Sequence, residues 1–141
     1  MLNTINKSKP DISLSVCSYS KVLEIISSKW TALVLYALES GSIRYGEIRR
    51  RIEGISQKML THTLRQLERD GLVRREVHPA VPPVVDYMLT PLGETLIPHM
   101  RQLKEWANSY YPLVEQARLE YDRVSGTAGS ANGTDEPGIF G

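Results

Sequence analysis

The sequence predicts a mainly helical α+β fold, and three observations carry that expectation. Apolar residues recur at helical spacing through the first half of the chain, broken by glycines at 41, 54 and 71. The period then becomes alternating over 73–77 and 84–89, as in short strands. From Pro91 onward it is helical again. The length of 141 residues fits one compact domain at roughly 100–200 residues per domain, and 41% hydrophobic content is enough for a single core.

The first helix is expected from about residue 19 to 26, with Val22, Leu23, Ile25 and Ile26 making it mostly buried. The second, about 29 to 39, carries a stripe of Trp30, Leu33, Val34, Ala37 and Leu38. Gly41 ends it, and residues 42–44 form a short extended piece. A third short helix, about 45 to 52, turns Ile48 and Ile52 inward and carries Arg49, Arg50 and Arg51. After the turn at 53–55, Ser56 is a good N-cap because its hydroxyl can accept from a free backbone N–H. The fourth helix spans 57–70 and Gly71 closes it. Helix, short glycine-containing turn, helix is the helix-turn-helix pattern.

The two strands, joined by the proline-bearing loop 78–83, read as a wing. Thr90 caps a last long helix with Pro91 at its first position, where a missing N–H costs nothing. Pro98 is expected to kink that helix or break off its first part. Beyond it Met100, Leu103, Ala107, Tyr110 and Val114 recur in steps of three and four, a seam for another helix. The seam reads as a dimer interface; the alternative is that the helix folds back on its own core. The fold class is therefore a winged helix-turn-helix with a two-stranded β-wing and a long C-terminal dimerisation helix. Residues 1–13 form an N-terminal arm, 14–124 the domain, and 125–141, rich in Gly, Ser, Ala and Thr, a disordered tail.

The net charge of +1 conceals an uneven distribution. Residues 44–75 hold nine basic and four acidic side chains, a net +5, while residues 115–141 hold two basic and five acidic, a net −3. A basic segment is the electrostatic footprint of a nucleic-acid face. On a helical wheel Met59, Leu60, Thr63, Leu64 and Leu67 gather on one side of the fourth helix, and Gln57, Lys58, Thr61, His62, Arg65 and Arg69 on the other. The second set offers the groups that meet base edges and phosphates in a major groove. Gln57, Lys58, Thr61 and His62 lie in the N-terminal part that reads bases in such proteins. Arg65 can reach bases or phosphates; Arg69 is a phosphate contact or a surface charge. Arg44, Arg49 and Arg50 are phosphate candidates that can instead pair with Glu47 or Glu53. The residues expected to face DNA are Arg44, Tyr45, Arg49, Arg50, Ser56, Gln57, Lys58, Thr61, His62, Arg65 and His78.

No stretch approaches the ~20 consecutive apolar residues of a membrane span, and the N-terminus lacks an apolar leader core. A soluble cytoplasmic protein is expected. A single cysteine, Cys17, excludes an internal disulfide and a multi-cysteine metal site. The histidines at 62, 78 and 99 have no metal-ligand spacing, and no glycine-rich phosphate loop is present, so neither a cofactor nor an enzyme is expected.

Taken in order, Cys17, Lys29-Trp30-Thr31, Ile43 through Arg50, Gly54 through Thr61, Leu64 through Val73, Pro82-Pro83, Asp86-Tyr87 and Leu89 through Gly93 resemble the HxlR-type winged-helix regulators, relatives of the MarR regulators. The resemblance covers about residues 17–106. It implies a homodimer on an inverted-repeat operator in double-stranded DNA, commonly a repressor, and genes that handle aldehydes, quinones or oxidants. In several members the cysteine matching Cys17 senses the reactive species. The family often has Arg or Lys after the wing prolines; here Val84 stands there, which leaves His78 as the substitute cation in the wing.

Cys17 has two readings. Next to a helix N-terminus, with Lys21 one turn on, it is a redox or electrophile sensor; otherwise it is a small buried hydrophobe. Two other functions stand beside the redox regulator. One is a regulator answering to an aromatic or apolar effector held by Tyr19, Trp30, Tyr110 and Tyr111. The other is a winged helix used only for protein contacts, which the basic reading face argues against.

Overall fold

The computed structural model describes residues 17–129, with side chains through Gly126. The expected arm and the chain beyond 129 lie outside the described residues. The elements are α1 (Ser18–Ile26), α2 (Lys29–Leu38), β1 (Ile43–Arg44), α3 (Tyr45–Arg51), α4 (Gln57–Arg69), β2 (Val73–His78), β3 (Val84–Leu89) and α5 (Pro91–Gly129). The chain divides at Pro98 into two units.

In the first unit α4 sets the core. Leu60, Leu64 and Leu67 are buried with Val34, Leu35 and Leu38 of α2, Ile48 of α3 and the turn residues Ile52 and Ile55. Each such side chain contributes about 1.5–3 kcal/mol by leaving water. The expected α2 stripe holds at Val34, Ala37 and Leu38, all buried, but Leu33 is exposed and Thr31 and Leu35 face inward with them. Both sets have helical spacing, and only the position of α4 distinguishes them. No residue of α1 is buried; Val22 and Leu23, expected in the core, are each 40% exposed. The helix forms, but within one chain its apolar face has too little to pack against.

Both ends of α4 are closed by local chemistry. The Ser56 hydroxyl accepts from the Met59 N–H at 3.0 Å. At the other end Leu72 N–H reaches the Leu67 carbonyl and Gly71 N–H the Glu68 carbonyl, each at 3.0 Å. That double closure needs a left-handed residue, and Gly71 supplies it at φ +75°. Leu72 and Leu67, the apolar pair that accompanies this motif, are both buried.

The sheet has three strands in the order β1-β3-β2, all antiparallel, rather than the two expected. β1 pairs Ile43 with Tyr87 and Arg44 with Asp86; β2 pairs Val73 with Leu89 through His78 with Val84. The extended piece before α3 was legible, but its partner is distant in sequence. Ile43, Val73 and Tyr87 turn to the core, and Tyr87 packs on Tyr45 with ring centroids 6.3 Å apart.

Thr90 links the end of α4 to the start of α5. Its N–H donates to the Leu72 carbonyl at 3.0 Å, its hydroxyl donates to the Gly71 carbonyl, and the same oxygen accepts from Gly93 N–H at 3.0 Å. α5 is assigned as one helix through Pro98, so the expected break of its first part does not occur. Pro98 is exposed, so water can satisfy the carbonyl that lacks a helical donor. The helix also runs five residues into the tail expected from 125, since extending a formed helix requires no new nucleation. In the second unit Met100, Ala107 and Val114 are half-buried and Leu103 and Tyr110 exposed, and Trp106 lies 5.9 Å from Tyr110 between ring centroids. No described helix is long and apolar enough to cross a membrane.

Gly93 is buried against the Leu72 carbonyl so closely that a Cβ would collide with that oxygen. Gly93→Ala is expected to lower the unfolding free energy by roughly 1–3 kcal/mol, read as a shift in urea midpoint at constant slope.

Candidate nucleic-acid interface

The outer face of α4 presents Gln57, Lys58, His62, Arg65 and Arg69 exposed and Thr61 half-buried. Burying Leu60, Leu64 and Leu67 turns Lys58, His62, Arg65 and Arg69 outward on the opposite side, while Gln57 and Thr61 flank the buried face at the start of the helix. The Ser56 hydroxyl is occupied by its cap bond to Met59.

The site residues fall into two bonded groups. In the first, the Tyr45 phenol oxygen lies 3.1 Å from the Gln57 carbonyl oxygen and 2.8 Å from Thr61 Oγ1. The start of α3 is thereby fastened to the first turn of α4. In the second, Asp86 on β3 meets two expected DNA contacts at once. Its Oδ1 is 3.7 Å from Arg44 Nε, and its Oδ2 is 2.8 Å from His78 Nε2. Asp86 is the residue sequence reasoning missed. The β1–β3 register that sets it opposite Arg44 was the missing information. Arg44 is exposed, so this pair orients more than it stabilises. Arg49, Arg50 and Arg51 are exposed on the last turn of α3, where cations also suit the helix dipole.

Two features lie on α1. Cys17 is its N-cap, partly exposed, and its sulfur closes no capping bond of good geometry. The backbone N–H groups of Ser20 and then Tyr19 nevertheless favour the thiolate and hold the thiol below its ordinary pKa. One turn on, Lys21, Glu24 and Ile25 form one wall of a groove of about 670 Å³. The opposite wall is α4, through Met59, His62, Gln66 and Arg69. α1 and the helix that carries the polar face thus border the same groove. No group of three or more metal-ligating side chains occurs among the described residues.

Residues 25–115 match the model of the HxlR-like helix-turn-helix family. The HTH-type transcriptional regulator YkvN of Bacillus subtilis is 45% identical over 108 residues, 77% of this chain and 91% of that one. Among solved structures, the redox regulator HypR in its reduced form superposes with a TM-score of 0.68 at 42% identity, covering 71% of this chain and 99% of that one. The reduced form of the transcriptional regulator YodB from B. subtilis gives 0.60 at 32% identity, covering 67% and 94%. These likenesses are to transcription regulators and not to enzymes. With its winged architecture and its open basic helix face, the chain belongs to the HxlR-like helix-turn-helix family of MarR-related transcription regulators.

Proposed function

We propose that the chain acts as a homodimeric, sequence-specific repressor that binds an inverted-repeat operator and loses affinity when Cys17 reacts with an oxidant or electrophile. The observation that carries the DNA reading is the division of α4. One face is sealed into the core by Leu60, Leu64 and Leu67, and the other stands open with amide, hydroxyl, imidazole and cationic groups. Gln57, Lys58, Thr61 and His62 meet base edges and their nearest phosphates. Arg44, Arg49 and Arg50 meet phosphates. Arg65 serves either role, and His78 lies at the wing.

Two apolar surfaces support the dimer. Val22 and Leu23 on α1 are each left 40% exposed within one chain, and Leu103 and Tyr110 on α5 are exposed at helical spacing. Such surfaces are costly to leave in water. A second copy would cover them and place two α4 helices one DNA turn apart. Replacing Tyr110 by Glu is expected to turn the dimer into a monomer in sedimentation equilibrium; an unchanged mass would remove the seam from the interface.

The Cys17 reading is supported by its N-cap position, its lowered pKa and the groove that α1 shares with α4. It is also supported by the likeness to HypR, a redox regulator with oxidised and reduced structures. Lacking a second cysteine in the chain, Cys17 reacts by forming an adduct, a mixed disulfide with a small thiol, or a bond to the partner's cysteine.

Gln57→Ala is expected to cost roughly 1–3 kcal/mol against a selected operator and much less against random duplex. Arg49→Ala should weaken both alike and flatten the dependence on salt. Wild-type affinity in Gln57→Ala would move the reading face elsewhere. Diamide should weaken operator binding by wild type and leave Cys17→Ser unaffected; equal loss in both excludes Cys17. Because the thiolate is the nucleophile and the folded pKa is lowered, alkylation should fall off with decreasing pH only below the ~8.5 midpoint of an unfolded cysteine control.

A further inference from the structure

Tyr45 opens α3, half-buried, with its ring against the buried Tyr87 at a centroid distance of 6.3 Å. The ring cannot swing away without leaving that contact, so the phenol oxygen is held where it meets α4. There it has two partners, the Gln57 carbonyl oxygen at 3.1 Å and Thr61 Oγ1 at 2.8 Å.

The protons in this pair of bonds can be assigned by counting. A phenol carries one proton and a carbonyl oxygen none. The bond to Gln57 therefore exists only if Tyr45 donates. The Tyr45 oxygen is then an acceptor toward Thr61, and the second bond exists only if Thr61 donates. The order is Thr61 O–H to Tyr45 O–H to the Gln57 carbonyl, a chain in which each bond polarises the next. Thr61 has only one hydroxyl proton, and it is spent. Toward solvent Thr61 offers lone pairs and a methyl group.

We propose that Tyr45 is a specificity-determining positioning residue: it makes Thr61 an obligatory hydrogen-bond acceptor, so that Thr61 selects a base with an exocyclic amino group. This rests on the reading of α4 as the base-reading helix. In the major groove adenine N6 and cytosine N4 are donors, whereas thymine O4 and guanine O6 and N7 are acceptors. Thr61 accepts from either amino group. Against thymine or guanine it sets lone pair against lone pair, with no proton to turn outward. A threonine on an open helix face would rotate its hydroxyl and accept all four bases. The tyrosine hydroxyl thus converts a permissive side chain into one that discriminates.

The test selects duplexes from a random-sequence library with full-length wild type, Tyr45→Phe and Thr61→Val, and sequences the bound pools. Wild type should enrich a two-fold repeat with adenine or cytosine at one position of each half-site. Tyr45→Phe keeps the ring packing but releases the Thr61 proton. Discrimination against guanine and thymine at that position should fall about tenfold, and more than at any other position. Thr61→Val breaks the same bond from the other side and should flatten the preference at the same position, which keeps the idea testable if the Phe variant is unstable. An unchanged profile in Tyr45→Phe overturns the proposal. So does broadening at every position together with a lower melting temperature, since that makes the hydroxyl a brace for the fold. A thymine preference that survives in Thr61→Val would assign the position to methyl contact instead. If wild type enriches no repeat, the reading of α4 fails and this inference falls with it.

Discussion

One face of α4 has to stay dry. Leu60, Leu64 and Leu67 are almost completely buried, and the rest of the first unit is arranged to keep them so. α2 lies against them, α3 and the turn at Ile52 and Ile55 close one side, and the Schellman closure at Gly71 and Leu72 leads into the sheet. Thr90 then fastens that closure to the start of α5. Because the buried face is fixed in rotation, the polar face is fixed too. Core packing thus orients the groups that would meet DNA to within a fraction of a helical turn.

The sequence was most readable where a local signal decides the structure. The Ser56 cap, the glycine at the end of α4, the Thr90-Pro91 start of α5 and the bounds of β3 all follow from neighbouring residues, and the structure has them. What was lost depends on partners far along the chain. The α2 stripe was right at Val34, Ala37 and Leu38 and wrong at Leu33, whose place in the core Leu35 takes, because both satisfy the helical period. The extended piece at 42–44 was not read as a third strand because its partner, β3, lies far along the chain. The burial of α1 was overstated because apolar spacing does not say whether the surface meets its own chain or another.

The candidate site divides in the same way. The outward set on α4 was readable from periodicity alone. The bonds of Tyr45 to Gln57 and Thr61, and of Asp86 to Arg44 and His78, were not, since each joins elements separated by a turn or a strand pairing. Both groups share one design: a residue behind the surface fixes the orientation of those at the surface. The basic excess lies between 44 and 75 and the acid excess lies in the last segment. Positive potential is thereby concentrated on the elements that carry the polar face, while the whole chain stays near neutral.

The unburied α1 has a chemical consequence. A nine-residue helix with no buried side chain is marginal by itself, since a short helix barely repays its nucleation. The N–H groups that depress the Cys17 thiol exist as an aligned set only while the first turn of that helix is wound. The nucleophilicity of the sulfur is therefore a reporter of local order. Whatever keeps that turn wound favours the thiolate, and whatever frays it returns the sulfur toward an ordinary thiol. Conformational equilibrium and chemical reactivity are one variable at this position.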